Sequence, residues 1–323
     1  MTPGLVLVAG TLSFAPSAQP QADPDKVVHI RNVPALNVAR RLADPAKPAF
    51  GTLYLLTEGG AHAVAFVTDH DVTLVNSKQA GRGRAAMDAI ERVTRDPVTT
   101  IINTEPDAGC TGGNGEIPTV VEIVAHGNTR AAMAKMPTFM GANARFLPGR
   151  TFTDTMSLGD GRDRVDLYHF GRAHTDGDTV VVFPGFGVAY LGELFPSKSL
   201  PVIDTANGGS AVAFPETLAH AVAALGDIEV IIPGRAALVK RGETPTGWMP
   251  TGNALSGWLP TVKDLQEYAD FNRDFLEAVK EAMRAGKSPD ATAAGLKLPE
   301  KYAAYEMGRA RANIQAIYDE LSQ

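Results

Sequence analysis

The chain has 323 residues, with 30 Lys and Arg against 36 Asp and Glu, a formal charge of −6, 44% hydrophobic residues and 20% charged residues. The length allows one large domain or two smaller ones, and the charge balance excludes a basic nucleic-acid-binding surface. A single cysteine excludes an intrachain disulfide framework and any multi-cysteine zinc module, while 7 histidines leave a histidine-based metal site open.

In chain order, Leu5–Ala15 is a short apolar run followed by small residues up to Ala18, the pattern of a secretory leader without its basic start. Residues 1–26 are therefore read as a leader or signal-like segment, which points to the periplasm or secretion; without processing the chain stays in the cytoplasm. No apolar run reaches the length of a membrane span. Leu53–Leu56, Ala63–Val67 and Val72–Val75 read as short strands separated by Gly59-Gly60 and Asp69-His70-Asp71. Residues 81–95 switch to helical spacing, with Ala85, Ala86, Ala89, Ile90 and Val93 on one face, and Asp96-Pro97 ends that helix. Val98–Ile102 is a buried strand running into the polar stretch Asn103–Asn114. Strands are expected at Val120–Ala125, Val165–Phe170, Thr179–Phe183, Val188–Leu191 and Glu229–Ile232, and helices near Asn128 and over Pro215–Leu225. Residues 236–261 read as a long Gly-, Pro- and Thr-rich loop, and Val262–Ala285 and Pro299–Leu321 as amphipathic helices. Two strand-rich halves with interspersed helices predict a layered α/β domain whose strand ends carry the site loops.

Four segments carry the candidate chemistry. The first is Ile101-Ile102-Asn103-Thr104, followed after six intervening residues by Thr111-Gly112-Gly113-Asn114. The others are Gly171-Arg172-Ala173-His174-Thr175-Asp176-Gly177-Asp178, Gly192-Glu193-Leu194-Phe195 and Pro233-Gly234-Arg235. In this order they resemble the metal-binding segments of the metallo-β-lactamase superfamily, over about residues 50–240. The resemblance implies a four-layer αββα sandwich over 27–260, with a C-terminal helical extension at 261–323. It also implies hydrolysis of an ester, lactone or amide by metal-activated water. Carried over position by position, the histidines of the first segment become Glu105 and Asp107, its aspartate becomes Gly109 and its last histidine Cys110. His174 keeps its identity, the metal-bridging aspartate becomes Glu193, and the final histidine becomes Arg235. An early Val-Asp pair becomes Val75-Asn76. The departures fall on the metal ligands while the scaffold residues around them persist.

Three chemistries are open to this set. Glu105, Asp107, His174 and Glu193 are candidate ligands for one divalent metal, zinc first, that would activate water on a small-molecule substrate. A dinuclear centre is disfavoured because Arg235 brings a fixed positive charge to the second metal's place. Alternatively, a metal-free site would use Glu105, Asp107, Cys110, His174 and Arg235 in acid/base or Cys/His chemistry, with Arg235 clamping an anionic group. In the third reading the protein binds without hydrolysing, and Glu105, Asp107, Glu193 and Arg235 fill the old metal cavity as a salt-bridge network. A homo-oligomer stays open.

Outside these segments, His126 reads as a helix cap and His169 as a half-buried strand residue. His62 and His70 sit in hairpin turns that could border the site, whereas His29 and His220 have no motif context. Gly112-Gly113 lacks the Lys-Ser/Thr of a phosphate loop. Trp248 and Trp258 would line the pocket mouth or anchor the long loop.

Overall fold

The computed structural model describes residues 51–57, 61–196, 198–235 and 260–322, and the backbone of 29–33. The leader, Trp248, Trp258 and nearly all of the expected 236–261 loop lie outside the described residues.

Two sheets face each other. The first has seven strands in chain order: β1 (His29–Val33), β2 (Thr52–Thr57), β3 (Ala63–Val67), β4 (Val72–Val75), β5 (Val98–Asn103), β6 (Glu122–His126) and β7 (Arg150–Phe152). The second has five, ordered β12 (Val230–Pro233), β11 (Val188–Gly192), β10 (Val180–Phe183), β9 (Val165–Tyr168) and β8 (Thr155–Leu158). β4, β5 and β6 run parallel, and β11 pairs parallel with β12. Their carboxyl ends therefore lie at one end of the sandwich, and the loops leaving them meet there.

Alternation along the strands explains the layers. Leu53, Leu55, Val64, Phe66, Val75 and Ile102 of the first sheet meet Leu167, Val181, Phe183, Tyr190 and Ile232 of the second in an apolar seam between the sheets. The opposite face of the first sheet (Leu56, Ala65, Leu74, Ile101) is covered by α1 (Gly83–Ile90) through Ala86, Met87 and Ile90. The opposite face of the second (Val180, Val182, Ala189, Leu191, Ile231) is covered by Phe214 and Leu218 of α4 (Phe214–Ala224) and by Leu265, Tyr268 and Phe271 of α5 (Val262–Arg284). This is the αββα sandwich that the sequence implied. The short helices α2 (Ala108–Thr111) and α3 (Gly127–Met133) start the loops after β5 and β6.

The C-terminal helices share that last core. α5 opens with a capping box, the Thr261 and Asp264 side chains each meeting the other's backbone N–H. Tyr302, Tyr305, Ile314 and Ile317 pack into the same apolar layer as α4 and α5. The expected single helix over 299–321 is divided into a turn at Glu300–Tyr302 and α7 (Ala310–Leu321), and an additional short helix, α6 (Pro289–Gly295), lies ahead of it. Packing is the reason. Tyr305 stacks on Phe271 at 4.0 Å, which holds residues 303–309 as an irregular segment against α5. The first helix also ends earlier than its spacing suggests, at Ile90, which leaves Val93 37% exposed. The strands β7 and β8 carried no clear alternation and were not expected.

Candidate active site

The segment after β5 is fixed from beneath. Asn76, at the end of β4 with φ 62°, donates from Nδ2 to Thr104 Oγ1 (2.9 Å) and to the Tyr190 hydroxyl (3.0 Å), and its Oδ1 accepts from the Thr104 N–H (3.1 Å). The Tyr190 hydroxyl in turn donates to the His62 carbonyl (3.1 Å). Asn114 bridges the other end, accepting from Ser77 Oγ (2.7 Å) and donating to Asn103 Oδ1 (2.8 Å). Gly113 persists because its backbone lies on the Ser77 carbonyl, where an added Cβ would come within 2.1 Å. Thr175 and Asp178 close the His174 loop, the Asp178 carboxylate accepting from the Thr175 N–H (2.9 Å) and hydroxyl (2.6 Å). The scaffold residues thus persist for packing and hydrogen bonding that are independent of any metal.

On this frame the six singled-out residues converge. The Cys110 thiol donates to Glu105 Oε1 (2.8 Å), and the Glu193 N–H donates to Glu105 Oε2 (3.3 Å). Arg235 lies between two carboxylates, its Nε donating to Glu193 and its Nη2 to Asp107. His174 Nε2 is 3.7 Å from Asp107 Oδ1, an ion-pair distance rather than a hydrogen bond. His174 Nδ1 donates to the Val202 carbonyl (3.0 Å), while its buried Nε2 has no hydrogen-bond partner among the described residues.

Burial sets the charges. Glu105 is 1% exposed, and burial, with the nearby Glu193 charge, pushes its carboxyl up to about 8, so it is neutral at pH 7. Burial and the neighbouring Glu105 push the Cys110 thiol well above its ordinary range, which makes it an inert hydrogen-bond donor rather than a thiolate. His174, then Arg235, hold Asp107 below the usual carboxylate range against its own burial. Burial opposes a charge on His174, but Asp107, Asp178 and Glu105 outweigh it and push the imidazole up to about 10. With Asp107 3.7 Å away, the shift reflects Coulomb attraction between the imidazolium and the carboxylates of Asp107 and Asp178 rather than a hydrogen bond.

The residues do not fit a metal. Among the described residues no three His, Cys, Asp or Glu side chains form a group that could hold one. The physical reason is local: the guanidinium of Arg235 engages the Asp107 and Glu193 oxygens, and Glu105 is neutral and held by Cys110. A dication there would meet a fixed cation among its own ligands.

His62 has a role that its hairpin position only hinted at. Its Nδ1 donates to the Pro233 carbonyl (2.9 Å) and its N–H to the Gly234 carbonyl, so it pins the turn that presents Arg235. Burial drives its ring down to about 4, hence neutral. Gly234 is required there because a Cβ would come within 2.6 Å of the Gly192 backbone. His126 accepts from the Asn128 N–H (3.3 Å) as the cap of α3 and stacks on His169 at 4.2 Å, in agreement with their structural readings. His70 is exposed in the β3–β4 turn, at the sandwich end away from the site.

A pocket of about 400 Å³ opens beside the cluster. Asp107, His174, Glu193 and Arg235 form its inner wall; Val202, Ile203, Asp204 and Arg309 form the outer one. Arg309 and the Val202 carbonyl were invisible to motif reading, because one is a lone arginine in the C-terminal segment and the other acts through its backbone.

Together these features define a layered α/β sandwich with its site at the carboxyl ends of parallel strands. No family model matches the sequence, and no curated protein matches it. Solved structures do match. The stereoselective inverting sec-alkylsulfatase Pisa1 from Pseudomonas sp. has a TM-score of 0.65 at 13% identity, over 83% of this chain and 48% of that one. The metallo-β-lactamase from Pontibacter korlensis has a TM-score of 0.54 at 14% identity, over 71% of this chain and 98% of that one. The DIM-1 metallo-β-lactamase has 0.53 at 12%, over 76% and 97%. The chain therefore has the metallo-β-lactamase fold, and it spans about half the length of the alkylsulfatase it matches. No helix among the described residues is long and apolar enough to cross a membrane.

Proposed function

We propose that this chain is a metal-independent variant of the metallo-β-lactamase fold whose pocket receives a small, anionic molecule. The observation that carries this reading is the inner wall itself. Arg235 bridges Asp107 and Glu193, and beside them the buried Nε2 of His174 lines the pocket with no hydrogen-bond partner among the described residues. A buried polar nitrogen left unpaired costs free energy, and a polar group of a bound molecule removes that cost. His174 is oriented for this by the Val202 carbonyl on its other nitrogen. It and Asp107 are the acid–base pair next to any bound ester, lactone or amide. Cys110 is excluded as nucleophile by its burial and its hydrogen bond to Glu105. Glu105 and Cys110 instead form the floor on which the Glu193 loop rests.

The rival reading, a mononuclear zinc hydrolase, requires Arg235 to leave both of its carboxylates. Metal analysis separates the two. Protein purified without chelator is expected to carry less than about a tenth of an equivalent of zinc or any other transition metal. Chelator is expected to leave its melting temperature unchanged. A full equivalent of zinc, with stability or activity lost on chelation, refutes the proposal. Ligand screening by thermal shift gives the positive arm: a small molecule that stabilises the wild-type protein is expected to lose its effect in His174→Gln.

A further inference from the structure

The sequence leaves Arg235 either an anion clamp or a member of a salt-bridge network, and the structure commits its side chain to the network. Its Nε and Nη2 are taken by Glu193 and Asp107, so its charge is balanced before any ligand arrives. The other arginine lining the pocket is Arg309. It is exposed, and its guanidinium has no hydrogen bond or ion pair among the described residues. Asp204, the acidic residue of the lining that Arg235 does not engage, is spent on Asn207, accepting from the backbone N–H (3.2 Å) and from Nδ2 (2.6 Å).

The backbone that presents Arg309 is well anchored. Its carbonyl accepts from the Asn313 N–H (3.0 Å) and Asn313 Nδ2 (3.1 Å) at the start of α7. Three residues earlier, Glu306 locks onto the strip that leads to Val202: the Leu200 N–H donates to the Glu306 carbonyl (3.2 Å), and the Glu306 N–H to the Lys198 carbonyl (2.9 Å). Asn313 Nδ2 also donates to the Pro201 carbonyl (3.0 Å), next to the Val202 whose carbonyl orients His174. One short segment of the C-terminal extension thus supplies a pocket cation and braces the strip that aims the imidazole.

We propose that Arg309 is the anion-recognising residue of this pocket. It selects a small molecule ending in an oxyanion group, a carboxylate or an ester of phosphate or sulfate, whose opposite, polar end meets His174 Nε2. The inference rests on the pocket reading above and adds the chemical class of the ligand and the residue that reads it. An exposed guanidinium suits this role, because it presents a planar fork to an oxyanion without first breaking an internal pair.

Calorimetric titration with butyrate, butyl phosphate and butyl sulfate, against butanol and butyramide as uncharged controls, tests the assignment. The wild-type protein is expected to bind at least one oxyanion probe about tenfold more tightly than its uncharged control. Arg309→Gln is expected to bring the two together, Arg309→Lys to restore part of the preference, and Arg309→Glu to abolish oxyanion binding. The side chain is exposed, so circular dichroism and melting of these variants should match wild type. An oxyanion preference that survives in Arg309→Gln overturns the assignment. Equal binding of charged and uncharged probes, lost in His174→Gln, also overturns it, together with the anionic part of the pocket reading, and leaves only His174 as the polar contact of the pocket. No binding of any probe to the wild-type protein overturns both.

Discussion

Replacing Arg235 by Met keeps much of the side-chain volume and removes the charge that joins Glu193 to Asp107. The Glu193 side chain is 4% exposed, that of Asp107 28% and that of Arg235 41%. Breaking a fully buried pair costs about 3–5 kcal/mol, whereas an exposed pair is worth about 0–1 kcal/mol. The guanidinium is more than a third exposed, so water recovers part of the loss, and about 2 kcal/mol is expected for Arg235→Met. Glu193→Gln retains a hydrogen-bond acceptor and leaves Arg235 its second carboxylate, so about 1 kcal/mol is expected. If both act through the same pair, the double variant should lose about 2 kcal/mol rather than the sum, a coupling of about 1 kcal/mol. Urea denaturation of the four proteins at neutral pH and constant salt measures the cycle. Arg235→Met alone should melt about 4 °C lower, at the low end of the usual conversion because the chain is long. A coupling below about 0.5 kcal/mol would show that Arg235 does not balance the buried Glu193, and the account of the filled cavity would fall.

Glu105 gives a pH prediction. Its folded-state value of about 8 lies above the ordinary 4.5, so the fold binds this proton more tightly than the unfolded chain does. That contribution is fully present below about pH 4.5 and is lost as pH rises through about 8, so Glu105→Gln should lose less stability than wild type between about pH 6 and pH 9. A parallel decline in urea midpoint would refute it. The Cys110 thiol should resist iodoacetamide in the folded protein at about pH 8 and react freely in denaturant, since burial and Glu105 both oppose the thiolate; labelling of the native state at the rate of a free thiol would contradict this. Lys78, fully buried at the end of β4, donates from Nζ to the carbonyls of Leu56 (2.8 Å) and Ala61 (2.6 Å). Lys78→Met strands both and should cost about 2–4 kcal/mol, read by urea denaturation.

Much of this protein was legible in its residue order. Strand alternation, the Thr-Gly-Gly-Asn and Thr-Asp-Gly-Asp frames and the apolar spacing of α5 announce a layered sandwich, because period-two and helical patterns are local properties of the chain. The same frames singled out Glu105, Asp107, Cys110, His174, Glu193 and Arg235, and the structure gathers all six at the carboxyl ends of the strands. Their pairing was not legible. Glu105 and Cys110 are five residues apart, but Asp107 and Arg235 are 128 apart, and which carboxylate the guanidinium meets depends on how β5 and β12 are brought together by two sheets. Residue order left Glu105 a metal ligand or an acid; burial made it neutral. It left Arg235 an anion clamp or a salt-bridge partner; packing gave it two carboxylates, Glu193 and Asp107. And it offered no reason to join Arg309 to this site, since an arginine ahead of the last helix enters the pocket only because Tyr305 packs on α5 and Glu306 locks onto Lys198–Leu200. Residue types and spacing determine which chemistries are possible, whereas long-range packing sets desolvation and charge pairing, and these decide which of them the site retains.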